Sequence, residues 1–200
     1  MRQRDERTIT RGGMLRALIG GAVVAGGATV AARGGAEDVL AAPSHALDKR
    51  IMTFVLTVEL VQAAFYEAAI EARKLDGELL QLALAVREQE RRHAAFVQDW
   101  LKSDAGPPPR TNFGDKLSSP DNFLKAAIDL EEAAIAGYIG QAAHLTKPTM
   151  SAAATLVSVE ARQVAWLRDL ANVSPAPRAA DPPRKPEDVM AFLRDKGYLA

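Results

Sequence analysis

The chain has 200 residues, with 25 basic and 25 acidic side chains, no cysteine and 48% hydrophobic residues. This length is sufficient for one domain with a hydrophobic core. A formal net charge of zero argues against non-specific nucleic-acid binding and against polybasic attachment to a membrane, so we expect no nucleic acid among the partners. Without cysteine, the chain has no disulfide, zinc-thiolate site or iron–sulfur cluster.

Residues 1–41 have the pattern of an export signal. Five arginines lie among the first 16 residues, and the uncharged segment 17–32 contains four glycines. That segment is shorter and less apolar than a membrane-spanning helix, and its glycines disfavour a buried core helix. The stretch 10–16 resembles a twin-arginine export signal in which Gly12 stands where the second arginine belongs.

With cleavage after Ala41, the mature protein is expected in the periplasm or another extracytoplasmic compartment, without a stable membrane span. An uncleaved membrane anchor is the alternative.

Residues 44–174 are expected to form four long helices, because apolar residues recur at helical spacing and strand patterns are missing. The first two helices are expected at about 47–74 and 77–103. Asp76 is the expected N-cap of the second helix.

The second half of this region contains the start signals of two more helices. Ser119 and Pro120 provide a cap and a first-turn proline for a helix at about 120–145. Thr149 is expected to cap a fourth helix that ends near Val173.

The connections indicate how these helices are arranged. Short links make each sequential pair antiparallel, whereas the proline-containing segment 104–119 is long enough to run the length of a bundle. The expected fold is therefore all-α, a four-helix bundle of the ferritin-like type with one long crossover between helices 2 and 3. The Pro-rich tail, 175–200, contains a short helix at about 187–196 that docks either on the bundle or on a partner.

Each long helix places one glutamate in the middle of its apolar stripe, at about the same height in the bundle. These glutamates are Glu59, Glu90, Glu131 and Glu160. Carboxylates that converge in a dry core repel one another and are costly to desolvate. Because no lysine or arginine lies on the inner stripes, either the glutamates hold protons or a cation lies among them.

A repeated motif favours the cation. Glu90 and His93 are three residues apart and share one helical face, and Glu160 and Gln163 repeat that spacing. Carboxylates with an imidazole suit iron or manganese. Two helix pairs with matched chemistry predict a pseudo-twofold site with two metal positions.

Residues 44–174 resemble the ferritin-like di-iron carboxylate domain family, and most closely its bacterial exported members and the desiccation-related proteins of plants and fungi. The resemblance rests on VELVQAAFY, EQERRHAAF, DLEEAAIAGYIG and VEARQVAWLRDL in the four helices. It implies two metal sites that share two bridging glutamates. The implied ligands are Glu59, Glu90 and His93 for the first ion and Glu131, Glu160 and Gln163 for the second, with Glu90 and Glu160 bridging.

The chain departs from this pattern at Gln163, where the di-metal motif has histidine. An amide oxygen is a weaker ligand than imidazole, so we expect a firm first site and a weak or empty second one. Gln163 is either a weak ligand or a structural hydrogen-bonding residue. Tyr66 matches a tyrosine beside the site in ferritins; Tyr66 and Tyr138 are either redox-active or packing residues whose hydroxyls contact the carboxylates.

The resemblance implies an exported protein that binds iron, as one or two ions, or manganese. It would oxidise ferrous iron with dioxygen or peroxide, as a ferroxidase-like or peroxide-consuming oxidoreductase. The alternative is a non-catalytic stress, desiccation or envelope protein that keeps the bundle but has lost a functional di-metal site. Assembly into a homo-oligomer or cage is left open by the sequence.

Overall fold

The computed structural model of the protein describes residues 42–200. The expected export signal at 1–41 lies outside the described residues, so its cleavage and export route stay predictions. The described part of the chain is mainly helical, as expected, and contains five α-helices. They are α1 His45–Glu71, α2 Gly77–Leu101, α3 Pro120–Gln141, α4 Lys147–Leu170 and α5 Pro186–Asp195.

The four long helices form the expected bundle. α1 packs along α2 and α3 along α4, and further contacts join α1 to α3 and α2 to α4. The segment 102–119 is the long crossover between the two pairs. This topology confirms the prediction of an all-α bundle of the ferritin-like type with one crossover and a short C-terminal helix.

Serine side chains cap the N-termini of two helices. Ser119 at α3 was expected to do so, and Ser44 caps α1 in the same way. The Ser119 side chain accepts a hydrogen bond from the backbone N–H of Asn122 at 3.2 Å. At α1 the Ser44 hydroxyl accepts one from the backbone N–H of Leu47 at 3.2 Å. Asp76 does hold the N-cap position of α2, but its side chain makes no capping hydrogen bond.

The start of α4 differs from the sequence prediction. Thr146, not Thr149, is the N-cap residue. The Thr149 hydroxyl instead donates to the buried carboxylate of Asp48 at 2.7 Å, and the backbone N–H of Thr146 donates to the same carboxylate at 2.8 Å. Burial raises the pKa of Asp48, but hydrogen bonds from the Thr146 hydroxyl, the Thr149 hydroxyl and the Thr146 backbone outweigh it and hold the pKa below its usual value. A side chain from α1 therefore fixes where α4 begins.

Each long helix also ends a few residues earlier than periodicity indicates. Arg73, Lys102 and Asn172 follow the ends of α1, α2 and α4 and have positive φ angles of 52°, 55° and 57°. A left-handed residue cannot continue an α-helix, so it ends the hydrogen-bonded ladder there. α3 ends in the short 3₁₀ turn Ala142–His144.

The C-terminal helix docks on the bundle, which was one of the two expected positions. Val189 and Leu193 of α5 are fully buried in the same apolar cluster as Phe65 and Phe123. Tyr198 follows α5, and its hydroxyl donates to the backbone oxygen of Ala126 at 2.8 Å. The tail therefore completes one end of the core.

The last residues also hold the crossover in place. The backbone N–H of Ala200 donates to the oxygen of Arg110 at 3.0 Å, and Thr111 and Leu199 form an isolated antiparallel bridge. The chain terminus thus connects the crossover to the α5 end of the bundle.

α1 is long and apolar enough to cross a membrane by length and composition alone. However, 56% of its most apolar window is buried inside the protein. The same helix carries Glu59 and Gln62, both fully buried, at its centre. α1 is therefore a core helix of the bundle, and its burial against the other helices explains its apolar composition.

Candidate metal centre

The four predicted glutamates meet in one buried layer across the middle of the bundle. Each is completely inaccessible to solvent. Residues of one apolar cluster lie on one side of the layer, and residues of a second cluster lie on the other. The glutamates are Glu59 on α1, Glu90 on α2, Glu131 on α3 and Glu160 on α4. The helical register therefore brings carboxylates from four separate segments to one height.

Four side chains form a group compact enough to surround one ion. Glu59, Glu90, His93 and Glu160 each offer one ligand atom, and these atoms all lie within 4.8 Å of one another. The Nδ1 atom of His93 lies 2.9 Å from Glu160 Oε1, 3.3 Å from Glu59 Oε2 and 3.5 Å from Glu90 Oε2. We call these four residues the ligand group.

The four atoms are close but do not form aligned hydrogen bonds. Within residues 42–200, Glu59 Oε2, Glu90 Oε2, His93 Nδ1 and Glu160 Oε1 have no hydrogen-bond partner. Buried polar atoms normally have one, and a cation among them would satisfy all four at once. Three carboxylates and an imidazole are ligands that suit iron or manganese. The residues present therefore fit such an ion.

Glu131, a predicted ligand of the second ion, lies beside the ligand group. Its carboxylate accepts a hydrogen bond from the amide nitrogen of Gln62, and the same nitrogen donates to Glu160 Oε2 at 3.0 Å. Gln62 is fully buried on α1. The apolar stripe of that helix does not mark Gln62, but its position three residues after Glu59 is the signal that could have found it.

Gln163 is also adjacent to the ligand group. Its amide nitrogen donates to Glu90 Oε1 at 2.6 Å and to Gln89 Oε1 at 2.9 Å. The amide oxygen, which is the atom that would bind a metal, has no hydrogen-bond partner among the residues described. Gln163 acts here as a hydrogen-bonding residue, and its role as a ligand stays a prediction.

The two tyrosines of the repeated motif contact different glutamates. Tyr138 donates a hydrogen bond to Glu59 Oε1, so that the other oxygen of Glu59 points into the ligand group. Burial and then the charge of Glu131 raise the pKa of Tyr66 well above its usual value. Burial and then Glu59 have the same effect on the pKa of Tyr138. Both phenols therefore stay protonated at neutral pH, and a redox role for Tyr66 stays a prediction.

The layer has a strong affinity for positive charge. Burial raises the pKa of Glu59, Glu90 and Glu131, and the neighbouring charge of Glu160 raises all three further. Burial alone would lower the pKa of His93, but the carboxylates around it outweigh burial and raise that pKa to about 12. Without a metal, protons therefore provide the positive charge.

This proton uptake predicts how stability depends on pH. Glutamates with a raised pKa bind more protons in the folded than in the unfolded protein, so the free energy of unfolding of the metal-free protein falls as pH rises from about 5 to 8. A bound cation replaces those protons, so the stabilisation by Mn²⁺ should grow over the same range. Urea unfolding at both pH values, with and without Mn²⁺, measures both effects. A metal-free protein that is more stable at pH 8 would contradict this electrostatic account.

A cleft of about 310 Å³ between α2 and α4 reaches the edge of the layer from the surface. Two of the predicted ligands, His93 and Gln163, lie in its wall, and the exposed side chains of Arg92 and Arg162 flank it. A larger cleft of about 680 Å³ lies beside the Pro-rich segment and contains none of the predicted ligands. The smaller cleft is therefore the candidate entrance to the site.

Comparison with known proteins agrees with this architecture. The family described as "Ferritin-like domain" matches residues 47–173, which include α1 except its first two residues, all of α2 to α4, all six predicted ligands and Gln62. A search of curated proteins found none that matches the chain. The exported and desiccation-related subtype stays a prediction. The match covers more than half of the chain, and the helices form the corresponding bundle, so the chain belongs to the ferritin-like domain family.

Proposed function

We propose that this protein binds iron, or manganese in its place, in the ligand group and oxidises ferrous iron there with peroxide or dioxygen. One observation carries the proposal. Four buried ligand atoms lie within 4.8 Å of one another, and each lacks a hydrogen-bond partner in the described part of the chain. An oxygen-rich group with one imidazole favours iron and manganese over softer metals.

The charge of the ligand group supports oxidation of the iron. Carboxylates in a site of low dielectric stabilise a trivalent ion more than a divalent one, because the attraction scales with the ionic charge. Ferrous iron in this group is therefore a better reductant than ferrous iron in water. One ion in the ligand group supplies one electron, so the ferrous ions of two chains together supply the two electrons that, with two protons, reduce one hydrogen peroxide to two waters.

The residues around the ligand group hold its geometry. Tyr138 fixes one oxygen of Glu59, and Gln163 fixes one oxygen of Glu90 through a 2.6 Å hydrogen bond. These contacts leave the other oxygen of each carboxylate directed at His93. Ligands held in this way need little rearrangement when an ion binds, which favours affinity.

The entrance favours a small uncharged oxidant. Arg92 and Arg162 flank the cleft that reaches His93, and their positive charge repels divalent cations that approach by this route. Hydrogen peroxide and dioxygen carry no charge and are small enough for a cleft of about 310 Å³. This cleft therefore favours the entry of an uncharged oxidant over the entry of a divalent cation.

The proposed setting is the periplasm or another extracytoplasmic compartment, where the protein removes iron or peroxide under stress. The basic and then apolar pattern of residues 1–41 supports export.

Ferrous oxidation tests the proposed activity. The purified mature protein is loaded anaerobically with about one equivalent of Fe²⁺ per chain, and peroxide or dioxygen is then added. Ferric formation, followed by near-ultraviolet absorbance, should be at least about 10-fold faster than for free Fe²⁺ in the same buffer. Glu160→Ala should abolish the acceleration, whereas Glu71→Ala, an exposed carboxylate at the end of α1, should retain it. Equal rates with and without the wild-type protein would favour the non-catalytic alternative.

A further inference from the structure

The buried layer is chemically asymmetric, although the sequence around it is repeated. Glu90 and Glu160, the two predicted bridging residues, each direct one oxygen at His93, at 3.5 Å and 2.9 Å. The other oxygen of each accepts an amide N–H. Glu90 Oε1 accepts from Gln163 at 2.6 Å, and Glu160 Oε2 accepts from Gln62 at 3.0 Å. The four ligand atoms around His93, in one half of the layer, thus have no hydrogen-bond donor among the described residues, whereas the carboxylate oxygens toward Glu131, in the second half, accept hydrogen bonds from an amide.

Gln62 is central to the second half. Its amide nitrogen donates to Glu131 as well as to Glu160, and the side chain is fully buried between them. An amide hydrogen and a cation compete for the same carboxylate lone pairs. Because protein interiors are close-packed, a second ion between Glu131 and Glu160 would have to displace this amide.

The internal repeat shows why an amide lies in only one of the two halves of the layer. Gln62 lies three residues after Glu59 on α1, and the equivalent position on α3, three residues after Glu131, is Ala134. Ala134 is buried, and its methyl group cannot donate a hydrogen bond. The repeat therefore places an amide on one side of the layer and a methyl group on the other.

We infer that this protein holds one metal ion per chain, in the ligand group, and that Gln62 is the residue that excludes a second ion. The inference rests on the proposed function, because it presumes that the ligand group binds metal. The sequence suggested that Gln163 on α4 weakens the second site. The residue responsible is instead Gln62, which lies on the other pair of helices.

Metal counts in matched variants test the inference. Wild-type protein, loaded anaerobically with excess Mn²⁺ and desalted, should retain about one ion per chain by mass spectrometry. Gln163→His should also retain about one ion, because the amide of Gln62 still donates to Glu131 and Glu160. The double variant Gln62→Ala/Gln163→His should retain about two, with the electron paramagnetic resonance spectrum of a coupled Mn²⁺ pair. Gln141→Ala removes a buried glutamine outside the layer and should behave as wild type.

The outcomes separate this inference from the proposed function. Two ions in the wild type, or one ion in the folded double variant, would overturn the role of Gln62. No ion in the wild type would overturn the proposed function and the one-ion centre together. Gln62→Glu provides a second variant of nearly the same size, in which a ligand replaces the donor. It should also retain about two ions, and a count of one in this variant would contradict the inference.

Discussion

Replacing His93 with alanine is expected to lower the affinity of the protein for Fe²⁺ and Mn²⁺ by about 100-fold or more. His93 is the only nitrogen ligand in the ligand group, and its Nδ1 atom lies 2.9–3.5 Å from the three carboxylates. Removing it leaves carboxylates alone to bind the ion and opens the wall of the entrance cleft to water. Anaerobic titration calorimetry with Mn²⁺ measures the loss.

His144→Ala is the matched control for this measurement. His144 lies in the 3₁₀ turn after α3 and is not part of the ligand group. The control should bind Mn²⁺ with wild-type affinity. Wild-type affinity in His93→Ala, or an equal loss in His144→Ala, would contradict the assignment of the site.

Gly140→Ala is expected to lower the free energy of unfolding by about 2–4 kcal/mol, although alanine normally stabilises a helix by up to about 1 kcal/mol relative to glycine. A Cβ atom at Gly140 would lie 1.9 Å from the backbone oxygen of Arg184 and 2.8 Å from its carbonyl carbon. Backbone atoms cannot move aside as a flexible side chain can. The clash should therefore displace the segment before α5 and expose Val189 and Leu193, which are fully buried.

Urea unfolding and hydrogen exchange measure the effect of this substitution. Exchange at the amides of α5 should accelerate in Gly140→Ala, while exchange in α1 should change less. Gly106→Ala is the control, because no atom lies within 4 Å of a Cβ at that position in the crossover. Equal stability of Gly140→Ala and the wild type would show that the Arg184 segment does not need to lie so close to α3.

The helices and the height of the glutamates could be predicted because both depend on local periodicity. A glutamate in an apolar stripe, such as Glu59 or Glu131, is conspicuous in the sequence whatever its neighbours are. Helix ends were less predictable, since some depend on distant residues. Thr149 is typical of a capping residue, yet it binds Asp48, about one hundred residues earlier in the chain.

The role of Gln62 could not be predicted in the same way. An uncharged amide on α1 does not stand out as a buried carboxylate does, and its effect depends on Glu131 and Glu160, which belong to other helices. The contacts of the two repeated tyrosines also depend on other helices, so Tyr66 and Tyr138 looked equivalent in the sequence. In the structure Tyr138 donates to Glu59, whereas Tyr66 makes no well-aligned hydrogen bond within the part of the chain described.

Buried glutamates can either hold protons or surround a cation. These two explanations describe the metal-free and the metal-bound state of the same site. Raised pKa values of Glu59, Glu90 and Glu131 mean that the layer holds protons when no cation is bound. Metal binding then releases those protons, and the ligand group exchanges one form of positive charge for another.

Anomalous X-ray diffraction from crystals of the Mn²⁺-loaded protein tests the central claim most directly. The account predicts one strong peak per chain at about 2.0–2.4 Å from ligand atoms of Glu59, Glu90, His93 and Glu160. It predicts no peak between Glu131 and Glu160. Absence of any peak within the ligand group in crystals soaked with excess Mn²⁺, or a peak only at surface carboxylates, would contradict a metal centre in this bundle.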